Sequence, residues 1–154
     1  MEKDIINILI VDDEKYEGIL IEKCVNWESE GFHIIGNVQC AEDALKLMEK
    51  QVPDIVYTDI NMPRIDGLEL SRRIRDTYPA VRIVIVTGYR EFEYAREAIH
   101  IGVEEFLLKP IQSDELLAAA MKLREQILKK REQQSKDVEI YPVLCQELLR
   151  RIVT

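Results

Sequence analysis

A CxxC pair, a membrane-length apolar run and a basic surplus are all missing from this chain, and each absence excludes something. Cys24, Cys40 and Cys145 are odd in number and widely spaced. They read as reduced, mostly buried thiols of a cytosolic protein rather than a disulfide framework. The apolar run from Ile5 to Val11 is too short to span a bilayer, and no signal-peptide cleavage pattern follows it. Neither membrane insertion nor secretion is expected. Through Ile111 there are 13 Lys and Arg against 22 Asp and Glu, a net of −9; the remainder holds 8 against 7, a net of +1. An acidic body is a poor match for a phosphate backbone, so nucleic acid is not this chain's own partner. No internal repeat or low-complexity tract interrupts it.

What is present is an alternating pattern. The 154 residues are 47% hydrophobic and 32% charged, enough for one domain with a full core and a short appendage. Ile5 to Val11 is a nearly continuous β-branched run, as in a strand buried on both faces. Tyr16, Ile19, Leu20, Cys24 and Trp27 follow at helical spacing. Phe32 to Val38 reads as a second strand, and Ala41, Ala44, Leu45 and Met48 as a helix ended by Pro53. Ile55 to Ile60 is a third strand, with Leu70, Ile74 and Tyr78 marking the next helix. Val81 to Val86 is a fourth strand, and Phe92, Ala95 and Ile99 a helix closed by Gly102. Phe106 to Leu108 is a short fifth strand. From Ser113, the expected N-cap, a long helix carries Leu116, Leu117, Ala120, Met121, Ile127 and Leu128 on one stripe. Five strand–helix repeats predict an α/β fold, a parallel sheet with helices on both faces.

In such a sheet ligands bind beyond the carboxyl ends of the strands. Asp12 and Asp13 fall just past the first strand, Asp59 ends the third, Thr87 the fourth and Lys109 the fifth. Taken singly, Asp13 is an ordinary helix cap, Asn61-Met62-Pro63 an ordinary turn, and Thr87 and Lys109 ordinary strand ends. Together they put all the polar groups on one rim in chain order, which no structural requirement explains. Two carboxylates ~5 Å apart repel by about 3 kcal/mol at an effective dielectric of ~20. A hard divalent cation relieves this, and Mg²⁺ prefers a few carboxylates, waters and a phosphoryl oxygen. Asp12, Asp13, Asp59 and the backbone carbonyl of Asn61 make such a site. Three carboxylates, Mg²⁺ and the Lys109 ammonium sum to zero charge, a balanced pocket for a phosphoryl group. Asp59 is then the nucleophile, Lys109 offsets charge on the transferring oxygens, and the Thr87 hydroxyl bonds the attached group.

The segments "ILIVDDE", "PDIVYTDINMPRIDGLEL", "VRIVIVTGY" and "EEFLLKPI" closely resemble the receiver domain of two-component response regulators, over Ile5 to about Lys130. The resemblance implies a flavodoxin-like, doubly wound sheet of strand order 2-1-3-4-5. It implies that Asp59 accepts a phosphoryl group from a sensor histidine kinase, that Asp12 and Asp13 bind metal, that Thr87 is the switch hydroxyl and that Phe106 is the switch aromatic. It also suggests a cis peptide at Lys109-Pro110. "GYREFEYAREAIHIGVEEFLLKPI" and "WESEGFHIIG" are similar to the subgroup whose output domain is an arabinose-regulator-type helix-turn-helix. The expected layout is a receiver over residues 1–130, then over 131–154 a linker and the start of a helical segment leading to an output domain. DNA would be bound only through that output domain, and the setting would be cytoplasmic.

Alternative readings are a stand-alone receiver, a receiver-like module that never takes phosphate, and a Mg²⁺-dependent aspartate-nucleophile phosphohydrolase. The last expects an Asp-x-Asp motif at the first strand, whereas this chain has Asp59-x-Asn61 at the third. Elsewhere His33 and His100 read as packed or capping residues and Trp27 as core, while Tyr89, Phe92 and Tyr94 cluster near Thr87 as loop packing or as a surface that changes on phosphorylation. In the tail, Pro142 is expected to open a new helix, with Cys145, Leu148, Leu149 and Ile152 as an apolar stripe that either packs back on its own receiver or, the reading preferred, helps to pair two chains as a homodimer.

Overall fold

The computed structural model describes residues 5–88 and 92–153, with the side chains of all of these but 92 and 134–153. In chain order the elements are β1 (Ile6–Val11), α1 (Lys15–Cys24), a 3₁₀ turn (Glu28–Glu30), β2 (Phe32–Val38), α2 (Ala41–Lys50), β3 (Ile55–Thr58), α3 (Gly67–Thr77), β4 (Arg82–Thr87), α4 (Phe92–Ile101), β5 (Glu105–Leu108) and α5 (Ser113–Val153). The sheet order is β2-β1-β3-β4-β5 and every pairing is parallel, the doubly wound arrangement expected. By contact the chain forms two compact units, Met1–Leu123 and Arg124–Thr154. The first holds the whole sheet; the second is the remainder of α5.

The central strands are apolar along their length because both faces are covered. All four residues of β3 are buried, and in β1 only Asn7 is partly exposed. On one face Leu9, Val11, Val56 and Ile83 pack with Ala41, Ala44 and Met48 of α2 and Leu70 and Ile74 of α3. On the other face Trp27 meets Phe32 edge-on at 5.7 Å between ring centres and lies 5.9 Å from Tyr57. Strand alternation gives Asp12 the parity of Ile8 and Ile10, and Asp59 that of Tyr57, so both carboxylates leave the sheet toward the same side.

Several expectations need correcting. In α1 the buried residues are Gly18 and Ile21, whereas Tyr16 is 86% exposed and Ile19 and Leu20 are exposed too. Gly18 lies so close to the Asn37 side chain that a Cβ would meet its Oδ1 at 2.6 Å. The helix therefore turns its small residue, not its bulky stripe, toward β2. In α4 Ala98 is buried in a cluster with Ile60, Leu68 and Ile85, and Ile99 is 77% exposed. In α5 Met121 is exposed, while Ala119 and Leu123 join Leu116 and Ala120 inside. The helix begins at Ser113, and its first bond runs from Leu116 N–H to the Gln112 carbonyl, so Gln112 holds the cap position. Cys24 and Cys40 are half-buried free thiols. His33 is an exposed residue paired with Glu28 at 2.7 Å, not a packed one.

α5 runs on through Pro142, where a second helix was expected. Lys129 to Gln134 are strong helix formers, so nothing stops the first helix before the proline is reached. The side chains of Cys145, Leu148, Leu149 and Ile152, the side chain of Phe92, and Tyr89 lie outside the described residues. The Lys109-Pro110 peptide is cis, as expected, and Gly102 closes α4 at a φ of 92°. Among the described residues no helix is long and apolar enough to cross a membrane.

Candidate functional site

The backbone ladder continues one residue past β1, β3 and β5 and thereby fixes the rim. Asp12 N–H donates to the Val38 carbonyl at 3.0 Å, Asp59 N–H to Val11 at 3.0 Å, and Lys109 N–H to Thr87 at 2.8 Å. These bonds hold Asp12, Asp59 and Lys109 in the frame of the sheet rather than on free loops. β1 sits between β2 and β3, so the rim above it is the point where the winding direction reverses, the favoured ligand position of such sheets.

There the carboxylates converge. Asp12, Asp13 and Asp59 each present an oxygen, and these lie within 4.8 Å of one another. Lys109 Nζ donates to Asp12 Oδ2 and to Asp59 Oδ2, each at 3.1 Å. Asp12 is only 1% exposed and Asp59 is buried, whereas Asp13 faces solvent. A cleft of about 260 Å³ opens over them, lined by Asp13, Glu14, Glu17, Asp59, Asn61, Gly88 and Lys109. Burial pushes the Asp12 carboxyl up to about 6; the Glu14 amide and Lys109 pull it back only in part, and the Asp59 charge adds to the rise. Burial alone would lower the Lys109 ammonium, but Asp59 and Asp12 together hold it above its ordinary value. The cluster is short of positive charge.

The two remaining expected residues sit differently. Thr87 is fully buried at the end of β4, and its neighbour Gly88 lines the cleft. Phe106 is half-buried on β5, packed against Ile60, Leu68, Ile85 and Ala98. Two further residues shape the site and were not read from the sequence as doing so. A Cβ on Gly67 would lie 1.9 Å from the Asp59 carbonyl oxygen, so only glycine lets the β3–α3 loop fold back onto the backbone of Asp59. Gly67 N–H closes that approach on the Ile60 carbonyl at 2.7 Å. Asp66 caps α3, accepting from Glu69 N–H at 2.8 Å; the Asp-x-x-Glu spacing was its signal. Asp12 also braces the turn into α1 through Glu14 N–H at 3.0 Å.

The signature of the response regulator receiver domain matches residues 8–121. This chain belongs to that family. Among curated relatives, the receiver is 37% identical over 112 residues to the uncharacterized transcriptional regulatory protein YesN of Bacillus subtilis, covering 73% of this chain and 30% of that one. It is 30% identical over 114 residues to the transcriptional regulatory protein DegU of Brevibacillus brevis, covering 74% and 48%. Among solved structures it is similar to the receiver domain of AraT, a response regulator from Geobacillus stearothermophilus. That match has a TM-score of 0.77 and 31% identity, over 82% of this chain and 98% of that one. The chain thus spans half or less of the length of these curated relatives.

The receiver's donor set fits a hard cation. All three groups are carboxylates, their oxygens lie within 4.8 Å of one another, and Asp13 faces solvent, as suits a hard cation that keeps part of its water shell. The fit rests on chemistry the residues themselves display: a buried carboxyl forced toward protonation beside two others, with a single bridging ammonium.

Proposed function

We propose that this receiver accepts a phosphoryl group on Asp59 from a phosphohistidine of a sensor histidine kinase, with Mg²⁺ held by Asp12, Asp13, Asp59 and the Asn61 carbonyl. The observation that carries the reading is Lys109 Nζ poised 3.1 Å from both Asp12 and Asp59 over a cluster still short of positive charge. In the transfer an Asp59 carboxylate oxygen forms the new P–O bond as the P–N bond to the donor imidazole breaks; the electron pair and a proton end on the imidazole. Lys109 screens the phosphoryl oxygens, and the Thr87 hydroxyl bonds one of them afterwards. When bound, Mg²⁺ neutralises the carboxylates and draws charge from the transferring oxygens. Phe106, packed where β4, β5 and α4 meet, is the aromatic that repacks when Thr87 engages. Residues 1–130 act as the receiver and 131–154 lead to a DNA-binding output domain of the arabinose-regulator helix-turn-helix type, with the tail helping to pair two chains. The names of the relatives support transcription control as the output, and the protein acts in the cytoplasm as a stoichiometric acceptor rather than a turnover enzyme.

The test is intact-mass measurement after incubation with acetyl phosphate and Mg²⁺. One phosphoryl adduct is expected on the wild type and none on Asp59→Asn or in a chelator. An undiminished adduct on Asp59→Asn would sink the assignment.

A further inference from the structure

Tyr57 is fully buried in β3, two residues before Asp59 and on the same face of the strand. Its hydroxyl donates to the Leu116 carbonyl at 2.7 Å, across 59 residues of sequence. Leu116 lies in the first turn of α5 and is buried with Ala120. Within a helix that carbonyl already has the amide four residues on as its partner, so the tyrosine occupies the second lone pair. The helix does not require the bond to satisfy its own backbone; what the bond does is fix the start of α5 to the strand that carries Asp59.

The same helix start is tied a second time. Only Pro110, Ile111 and Gln112 separate Lys109 from Ser113. To reach Asp59, the Lys109 side chain crosses from β5 over β4 to β3, two strand spacings or about 10 Å. The four-carbon stem and its 3.1 Å bond to Asp59 together cover that gap, so the place of the main chain at Lys109 bears on where the ammonium rests. We propose that Tyr57 is a positioning residue for Lys109. Its hydrogen bond to Leu116 holds the chain just beyond Lys109, keeps the ammonium on Asp12 and Asp59, and opposes transfer of that ammonium to an incoming phosphoryl group. The proposal rests on the phosphoacceptor reading of Asp59.

The experiment compares wild type with Tyr57→Phe, which deletes a single oxygen. In the metal-free protein, amide exchange in residues 114–119 is expected to quicken. With saturating Mg²⁺, calorimetric titration with beryllofluoride, a phosphoryl mimic, is expected to give a half-saturation concentration lower by about three- to tenfold, the range one neutral hydrogen bond supplies. Affinity for Mg²⁺ alone should not fall, because Asp12 and Asp59 are freed of a competing cation, whereas a general loosening of the fold would weaken it. Superimposable or weakened beryllofluoride curves for the variant overturn the role of Tyr57. Failure of the wild type itself to take beryllofluoride overturns the phosphoacceptor reading, and this inference with it. One glycine inserted between Ile111 and Gln112 slackens the same tether from the other side. It should also tighten beryllofluoride binding, and it decides the matter if Tyr57→Phe does not fold.

Discussion

At the amino-terminal edge of the sheet Arg75 has fixed partners for both Nη atoms, whereas at the carboxyl-terminal edge Lys109 bridges two carboxylates with a third beside them. Arg75 Nη1 donates to the Pro79 and Val81 carbonyls at 3.0 Å each, and Nη2 to the Gly102 carbonyl at 2.8 Å. Nη2 also reaches both oxygens of Glu104, at 2.9 and 3.0 Å. Glu104 in turn accepts Ile83 N–H at 2.6 Å. On the same edge Asp54 exchanges bonds with Asn7, accepting its N–H at 2.8 Å. Arg75, Glu104 and Asp54 each close a loop onto a strand start. At the other edge the charges are brought together without enough counter-charge, and the price is visible in the raised Asp12 carboxyl. One edge is arranged for stability, and the other leaves its carboxylates short of positive charge, as the proposed phosphoacceptor role requires.

The largest effect that would break this division is at the stabilised edge. Arg75→Ala removes a fork that joins the α3–β4 turn to the α4–β5 turn and leaves the half-buried Glu104 carboxylate without its cation. A loss of about 2 to 3 kcal/mol is expected in urea denaturation, below the range for a fully buried pair because both side chains retain some solvent. Arg75→Lys should recover little, since an ammonium cannot serve the three carbonyls and the carboxylate together as the planar fork does. The phosphoryl adduct on Asp59 should still form. If adduct yield collapsed along with stability, the two edges would not be separable.

Metal removal gives the next effect, at the other edge and with the opposite sign. The Asp12 carboxyl stands at about 6 in the folded protein against an ordinary 3.8. A carboxyl raised on folding favours the folded state only while protonated. That contribution is complete below about pH 4 and is lost as pH rises through 6. The rise corresponds to ~3 kcal/mol at most, and some is returned because asparagine is a poorer partner for Lys109. Metal-free Asp12→Asn should therefore be more stable than wild type by about 1 to 2 kcal/mol at pH 7.5 and equal to it near pH 4. Mg²⁺ should reverse the order at pH 7.5 by binding the wild type alone. Thermal melts at both pH values check this, and a variant less stable than wild type without metal would show that Asp12 is a satisfied structural residue.

How much of this was legible in the sequence follows from which forces act locally. Continuous β-branched runs announce buried parallel strands, and the residue after each run must sit at the rim. Asp12, Asp59, Thr87 and Lys109 were therefore placed by strand length alone. Faces of helices were read less well. Tyr16, Ile19 and Leu20 make the more apolar stripe of α1, yet Gly18 and Ile21 face the sheet, because close helix–strand approach selects small residues and not only hydrophobic ones. In α4 Ala98 is buried in place of Ile99. The Arg75–Glu104 clamp, the tight approach of Gly67 to Asp59 and the Tyr57–Leu116 bond join residues 8 to 59 positions apart. No local pattern carries such pairings; they exist only once the sheet order has brought their elements together.

The smallest expected effect tests that correction directly. If Tyr16 and Ile99 belonged to the core, replacing either with serine would remove a large buried side chain and cost several kcal/mol, as large-to-small core changes do. Their exposures of 86% and 77% say otherwise. An exposed apolar side chain has nearly the same surroundings folded and unfolded, so its loss is close to neutral, within about 0.5 kcal/mol. Ile21→Ser is the matched control, since Ile21 is 2% exposed and lies roughly 140° around α1 from Tyr16. It should lose at least ~3 kcal/mol, from the missing apolar volume and a buried hydroxyl. Urea midpoints of the three variants at constant m-value separate the cases. A cost at Tyr16 or Ile99 approaching that at Ile21 would mean the bulky stripes face inward after all, and would move α1 or α4 by about a third of a turn about its axis.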